Sequence, residues 1–594
     1  MYDITIDGIA ARVRPGASIL DAASQAGVVI PTLCNMETHR PLGACRVCLV
    51  EVEGARALQA ACATPVFDGM QVRTTTRRVR TARTMVVDLL LSEHNGECGT
   101  CFRNGECELQ TIAAGLGLDR DTIPGPKLPA HIDETTPAIT RATGKCIKCR
   151  RCVRVCHGIQ GVGALFPQGR GFATTIGPAF GADLAEVACV QCGQCVAVCP
   201  VGAIMETSHI DRVWDALDDP QLHVVVQTAP AIRAALGECF GLPAGTRVTG
   251  KMVRALRRLH FDAVFDTDFA ADLTIMEEGT ELLQRLTAVL RDGRDEPLPV
   301  ITSCSPGWIN FAEQYFPQLL PMVSSCKSPQ QMFGALAKTY YAESRGIDPA
   351  RVFVASVMPC TAKKYEAMRP EMQSSGYPDV DAVLTTRELA HMIHQAGITF
   401  EQLEDDHMDE PLGISTGAAD IFGATGGVME AALRTVHELV TGKPLPGPGG
   451  RLELVPVRGL EGVKQAKLPI QGTVAEWGFL EGEELSVAVA HGLSNAARLL
   501  QEIQHGSISP HFVEIMCCPG GCIGGGGQPR PTTDAVRLAR MRALYDEDAA
   551  KPLRGSHQNP AVQALYREFL GEPGSAAAHR LLHTSYTARP SAQL

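Results

Sequence analysis

Between Glu514 and Pro529 the chain reads Glu514-Ile515-Met516-Cys517-Cys518-Pro519-Gly520-Gly521-Cys522-Ile523-Gly524-Gly525-Gly526-Gly527-Gln528-Pro529. Adjacent thiols, a third thiol four residues on and a run of glycines leave little that can build an ordinary core. Glycine carries no side-chain bulk and lets a backbone approach its neighbour more closely than any other residue does. Cys518 and Cys522 stand at helical i, i+4 spacing, so both can face one metal cluster. The run predicts a large inorganic group seated against the backbone.

That prediction makes the 22 cysteines the composition figure to explain. In an oxidising compartment they would read as disulfides. Here most fall in tight C-x2-C groups, and the chain opens on a strand-like Tyr2-Asp3-Ile4-Thr5-Ile6 with no basic and apolar leader, which favours metal ligation in a reducing cytoplasm. No apolar run reaches membrane-spanning length. The net charge of -11, with basic residues interspersed among acidic ones, argues against nucleic acid as the main partner. A chain of 594 residues with 45% apolar content is too long for one core and is expected to form several domains.

Residues 1–78 alternate short strand-like runs with turns and carry Cys34, Cys45, Cys48 and Cys62 as C-x10-C-x2-C-x13-C. Two close thiolates with outlying ones before and after suit a 2Fe-2S site. The segment resembles plant-type ferredoxin domains with altered spacing, which implies a β-grasp. Four thiolates also suit zinc, although zinc sites usually pair two short knuckles and this segment has one.

In residues 79–120 a helical stretch from Val79 to Ser92 leads into His94, Cys98, Cys101 and Cys107, an H-x3-C-x2-C-x5-C array. A lone histidine is usually structural. This array resembles a 4Fe-4S site with one histidine and three cysteine ligands found in the large Fe-S subunit of respiratory complex I. Neutral imidazole in place of an anionic thiolate makes a cluster less negative and easier to reduce.

Residues 136–210 carry C-x2-C-x2-C-x3-C twice, as Cys146, Cys149, Cys152 and Cys156, then Cys189, Cys192, Cys195 and Cys199-Pro200. In two-cluster bacterial-type ferredoxins the fourth cysteine of each run serves the other cluster. One 4Fe-4S is therefore assigned to Cys146, Cys149, Cys152 and Cys199, the other to Cys189, Cys192, Cys195 and Cys156. His157 stands where a proline is common. None of these sites has an obvious open position for substrate, so they read as wires.

From Val224 onward, strand-like runs alternate with amphipathic stretches such as Ala231 to Gly237, an α/β pattern. Val352 to Val357 leads into Met358-Pro359-Cys360, a ligand placed where open α/β sheets bind cofactors. Residues 222–545 are expected to form this unit, with 546–594 as a tail.

Three motifs, Thr302-Ser303-Cys304-Ser305-Pro306-Gly307-Trp308, Met358-Pro359-Cys360-Thr361-Ala362-Lys363-Lys364-Tyr365-Glu366 and the glycine-rich run, together resemble the signature motifs of FeFe hydrogenases. The resemblance implies a two-lobed catalytic domain with a buried six-iron H-cluster, a 4Fe-4S part joined to a two-iron part bearing CO and CN ligands. It implies that Cys360, Cys518 and Cys522 hold the 4Fe part, with Cys522 bridging to the two-iron part. The fourth ligand departs from the family. Two adjacent cysteines are common there, the first relaying protons and the second ligating iron, and here the pair is Cys304-Ser305. Either Ser305 ligates as an alkoxide, which is harder and more basic than a thiolate, or Cys304 takes the iron. Cys326 and Cys517 are unassigned and can compensate, or they are buried small hydrophobes; Cys239 has only the second reading.

Glu278, Glu281 and Arg285 fall at i, i+3 and i+7 on one helical face. A solvated face would look the same. The resemblance implies instead a proton path through them with Ser324 and Cys304. It also implies that Lys363 pairs with a cyanide ligand, and that Pro230, Gln330, Met358 and Met516 line the cofactor, with Ala231 lacking a hydroxyl that some members place there.

The resemblance implies reversible exchange of H2 with protons and electrons, fed by one 2Fe-2S and three accessory 4Fe-4S clusters. A sensory or weakly active relative and a purely electron-conducting subunit like that of complex I are the rival readings. The second leaves the three C-terminal motifs without purpose. No G-x-G-x-x-G follows a strand and no flavin pattern is present, so NAD(P)H chemistry would need flavin-bearing diaphorase subunits. The Val224 to Gly279 segment and the tail resemble catalytic subunits of NAD(P)-linked multi-subunit hydrogenases, and a soluble ferredoxin is the other expected partner.

Overall fold

The computed structural model describes all residues except 38–39, 120, 448–453, 458–461 and 590–594. Residue 120 and the end of the expected tail therefore lie outside the described residues.

The first unit is a five-stranded sheet. Tyr2–Ile6 pairs antiparallel with Ile9–Val13 and parallel with Gln71–Arg73, which runs antiparallel to Leu49–Val52. The helix Ile19–Gln25 packs its Ile19, Ala22 and Ala23 inward, and starts at a capping box in which Ser18 and Asp21 satisfy each other's backbone N–H. This is the expected grasp of a helix by a mixed sheet. A helix over Arg77–Glu93, capped by Thr76, leaves it and ends at His94.

The two cysteine runs each lead into a short helix, Arg151–Arg154 and Gln194–Val198. Both helices start from a left-handed residue, Arg150 and Gly193. A small antiparallel sheet, ending on Ile204–Glu206, closes this unit.

The catalytic unit has two sheets. The first is wholly parallel, in the order Ala263–Asp266, His223–Thr228, Val352–Met358, Ala382–Thr385. Its strands are almost unbroken runs of buried apolar residues, as a sheet covered on both faces requires. The second places Phe512–Met516 between Val300–Ile301 and Glu484–His491, all parallel, with Val463–Pro469 antiparallel beyond. The stretch expected as one helix from Ala231 to Gly237 is two shorter turns, Pro230–Arg233 and Leu236–Phe240, all but the end of the second buried. Arg233 ends the first turn, and its buried guanidinium is paired to Asp266 at 2.6 Å and to Asp420 of the second lobe at 3.1 Å. Removing one partner of such a buried network would leave an uncompensated charge, at a cost of about 3–5 kcal/mol.

The tail folds back on this unit. His583 Nε2 lies 3.0 Å from Glu277, and the Tyr586 hydroxyl donates to the Cys326 carbonyl at 3.3 Å.

Candidate active site

Each cysteine array converges on its own place. Cys34, Cys45, Cys48 and Cys62 are all buried, with Cys48 Sγ 3.4 Å from Cys62 Sγ and the Cys34 thiol in contact with those of Cys45 and Cys62. His94, Cys98, Cys101 and Cys107 line one cavity. His94 is buried there with Nδ1 lacking any partner among the described residues, which costs free energy unless something binds it. An orphaned ring nitrogen on a residue that shares its cavity with three cysteines fits an iron–sulfur cluster. A second cavity gathers Cys146, Cys149, Cys152 and Cys199, and a third gathers Cys189, Cys192, Cys195 and Cys156. His157, at the position where a proline is common, donates from Nε2 to the Leu165 carbonyl, 3.0 Å away.

The sites are stitched together by side chains. Lys145 Nζ, next to Cys146, donates to Cys101 Sγ at 3.5 Å. Cys34 and Cys45 share an apolar core with Cys149 and Cys152. The loop of the third cavity touches the catalytic unit directly: Thr361 Oγ1 donates to the Gln191 carbonyl at 2.9 Å, and Gln194 Nε2 to the Gly524 carbonyl at 2.9 Å.

Between the two sheets lies a cavity lined by Pro230, Cys304, Ser305, Gln330, Met358, Cys360, Lys363, Met516, Cys517, Cys518 and Cys522. Most of these residues stand at the carboxyl ends of the strands Val352–Met358, Val300–Ile301 and Phe512–Met516, where parallel strands leave loops free, while Pro230 follows His223–Thr228 and Gln330 lies on the helix Pro329–Leu336. Cys518 and Cys522 reach it, but without a helix. Gly520 and Gly521 have φ of 79° and 92°, so the segment turns tightly and only Cys522–Gly524 coils as a single 3-10 turn. The later glycines serve contacts within the protein. A Cβ on Gly525 would stand 2.2 Å from the Pro359 carbonyl oxygen, and one on Gly526 would stand 2.7 Å from the backbone of Gly193.

Glu366 is a site residue that the sequence pattern does not single out. Its buried Oε2 accepts from Lys363 Nζ at 2.9 Å, Ser328 Oγ at 2.9 Å and Gln330 Nε2 at 3.0 Å. It therefore fixes both Lys363 and Gln330 at the cavity wall. The available signal is its i+3 position from Lys363 on one helical turn. Lys363 also donates to the Cys304 carbonyl at 3.1 Å.

On the far side, the helix Thr267–Leu286 carries Glu278, Glu281 and Arg285. Arg285 bonds Glu281 at 2.6 Å, and the other Glu281 oxygen accepts from Ser324 Oγ at 2.7 Å. Glu278 is fully buried between Ser324 and Cys304, with Oε1 unpartnered among the described residues. Burial, and then the neighbouring Glu281, push its carboxyl up to about 8. Glu514, under the cavity floor, is raised to about 7 by burial, but it accepts the N–H groups of Gly426 and Met429 and so caps a helix. Cys326 lies outside the cavity lining, and its carbonyl accepts from Ser303. Cys239 lines a groove against the cluster-bearing units.

Thiols gathered in four local arrays, joined by side-chain contacts to a fifth, sulfur-lined cavity between two sheets, define an iron–sulfur redox protein. Known proteins point to the same class. Residues 222–526 match the C-terminal domain of the iron-only hydrogenase large subunit, and 534–589 match the iron hydrogenase small subunit. Residues 1–77 match a 2Fe-2S iron-sulfur cluster binding domain, 83–121 the NADH-ubiquinone oxidoreductase-G iron-sulfur binding region and 145–203 a 4Fe-4S dicluster domain. The chain is 51% identical to the NADP-reducing hydrogenase subunit HndD of Solidesulfovibrio fructosivorans, over 99% of both chains. It is 40% identical to iron hydrogenase 1 of Clostridium pasteurianum, over 99% of this chain and 100% of the other. An FeFe-hydrogenase structure from Chlamydomonas reinhardtii superposes with a TM-score of 0.59 at 44% identity, covering 65% of this chain and 100% of that one. The chain belongs to the iron-only hydrogenase family. It is an iron hydrogenase with 2Fe-2S and 4Fe-4S domains and an H-cluster domain, and the zinc reading of the first array falls with that. Among the described residues, no helix is long and apolar enough to cross a membrane.

Proposed function

We propose that this chain is the H2-converting subunit of an NADP-linked, cytoplasmic complex, holding one 2Fe-2S, three accessory 4Fe-4S clusters and one H-cluster. The observation that carries the reading is the position of the cavity. A file of titratable side chains meets it on one face, and the loop of an accessory cluster meets it on the other. The H-cluster, when bound, supplies the chemistry that splits or forms H2. Cys360, Cys518 and Cys522 would hold it, and Pro230, Gln330, Met358 and Met516 would wall it from water.

The chain's own residues handle the proton. Arg285 draws one oxygen of Glu281 toward the surface, while the other receives the Ser324 hydroxyl. Glu278, kept neutral at pH 7 by burial, can pass a proton between Ser324 and Cys304 without placing a bare charge in the interior. Lys363, aimed by Glu366, offers a charge-assisted donor at the cavity wall. The arrays of Cys189 and Cys146 would hold clusters that supply electrons, the first beside the catalytic unit, with the 2Fe-2S and histidine-bearing arrays as the entries.

The 51% identity to an NADP-reducing hydrogenase subunit across the full length supports flavin-bearing NADP-binding partner subunits. H2-dependent reduction of NADP+ by the reconstituted complex is the expected result. Reduction of a soluble ferredoxin alone would overturn the partner assignment.

A further inference from the structure

A 4Fe-4S unit presents four irons to the protein, and the cavity offers Cys360, Cys518 and Cys522 for three of them. The fourth position falls to the loop where Ser305 stands without a thiol. Cys304 lines the same cavity but packs against the apolar core of the second lobe, near Glu278 on the proton-carrying side. Ser305 Oγ accepts the Cys517 N–H at 3.2 Å, and a neutral hydroxyl is a poor iron ligand.

That hydrogen bond lays Cys517 against the deficient loop. Cys517 is buried, lines the cavity and brings its thiol into contact with that of Cys518. The space it occupies is kept open by Gly307, where a Cβ would stand 2.7 Å from Cys517 Sγ. Iron–sulfur clusters select soft thiolates over hydroxyls.

We propose that Cys517 supplies the fourth thiolate of the 4Fe part of the H-cluster, taking over across the sheet the place that Ser305 leaves. Its thiol loses a proton to solvent as the Fe–S bond forms, the usual exchange when a cysteine binds metal. Cys304 thereby stays free to carry protons, and Ser305 becomes a positioning residue that holds the Cys517 backbone. The Cys517 thiol also touches that of Cys192, so the new ligand stands beside a ligand of the nearest accessory array.

The proposal rests on the placement of Cys360, Cys518 and Cys522 around the same group. The test is made on the full matured chain, reading iron per chain, the electron paramagnetic resonance of the 4Fe part and the CO and CN infrared bands. Cys517→Ala is expected to lose the 4Fe signal, the infrared bands and about six irons, the whole of the H-cluster. Ser305→Cys combined with Cys517→Ala is expected to restore all three, which separates a ligand from a residue needed only for folding. Cys304→Ser is expected to keep them. Full iron and an unchanged 4Fe spectrum in Cys517→Ala would overturn the proposal, as would loss of the signal in Ser305→Ala or Cys304→Ser while Cys517→Ala keeps it. Cys360→Ala is the control: if it too kept the signal, the placement of the cavity's thiols would be at fault and not Cys517 alone.

Discussion

The cluster-bearing region, residues 1–210, and the two-lobed catalytic unit collect thiols by opposite means. In the first, most thiols of a group come from one short segment whose turns are set locally, as at the left-handed Arg150 and Gly193, and only Cys199 and Cys156 cross between the two runs. In the second, Cys304, Cys360 and Cys518 come from loops after three strands of two sheets. A local array depends on its own turn chemistry. The cavity depends on the whole topology, and on tethers such as Arg233 to Asp420. Damage to an array should stay where it occurs, whereas damage to the cavity should end the reaction.

The sharpest way to break that contrast is Cys522→Ala. H2 turnover should fall to background and the CO and CN infrared bands should vanish, while the 2Fe-2S and accessory 4Fe-4S signals persist. Loss of the accessory signals as well would show that the two regions are not independent.

Glu278→Gln should be next, lowering turnover on the order of 10²-fold or more with all cluster spectra intact, since a positioned acid–base group contributes that much. Its pH dependence carries a sign. The carboxyl is raised to about 8, so it is protonated and able to donate below that pH. Proton reduction should decline as pH rises through about 8, and the variant should lose that limb of the profile. Glu281→Gln should cost at least about tenfold, the more cautious figure because it stands one step further out. A pH profile identical in the wild type and Glu278→Gln would remove Glu278 from the path.

Gly526→Ala tests the seam between the regions. The added methyl would press on the Gly193 backbone, and such overpacking costs about 1–3 kcal/mol. Thermal unfolding should shift down, with every cluster spectrum retained.

The smallest effect is expected for His94→Cys. A fourth thiolate should make that one cluster harder to reduce. A redox titration should show its potential falling, while H2 uptake with a dye that bypasses the partners barely changes.

What was legible in the sequence follows the same divide. C-x2-C spacing announced the arrays because their ligands are neighbours in the chain. The face of Glu278, Glu281 and Arg285 was visible as a helical period, yet its use was suggested only by the family resemblance, because Ser324 and Cys304 arrive from other elements. Glu366 went unread although it lies one turn from Lys363, since its partners Ser328 and Gln330 come from a different helix and its cap. The i, i+4 spacing of Cys518 and Cys522 read as helix, but Gly520 and Gly521 adopt backbone angles that no helix admits. The glycine run signalled close approach correctly and left open what approached. The partner proved to be the protein's own backbone at Pro359 and Gly193 as much as any cofactor.

The Gln194 to Gly524 hydrogen bond spans 330 positions, and that separation becomes an interval of time on the ribosome. The arrays of residues 1–210 emerge and fold long before the glycine-rich loop has been made, because domains generally fold in the order of synthesis. The cavity cannot close until Cys518 and Cys522 have been added, and the tail that presses His583 onto Glu277 comes later still. The nascent chain therefore cannot turn over H2 before Cys518 and Cys522 have been made.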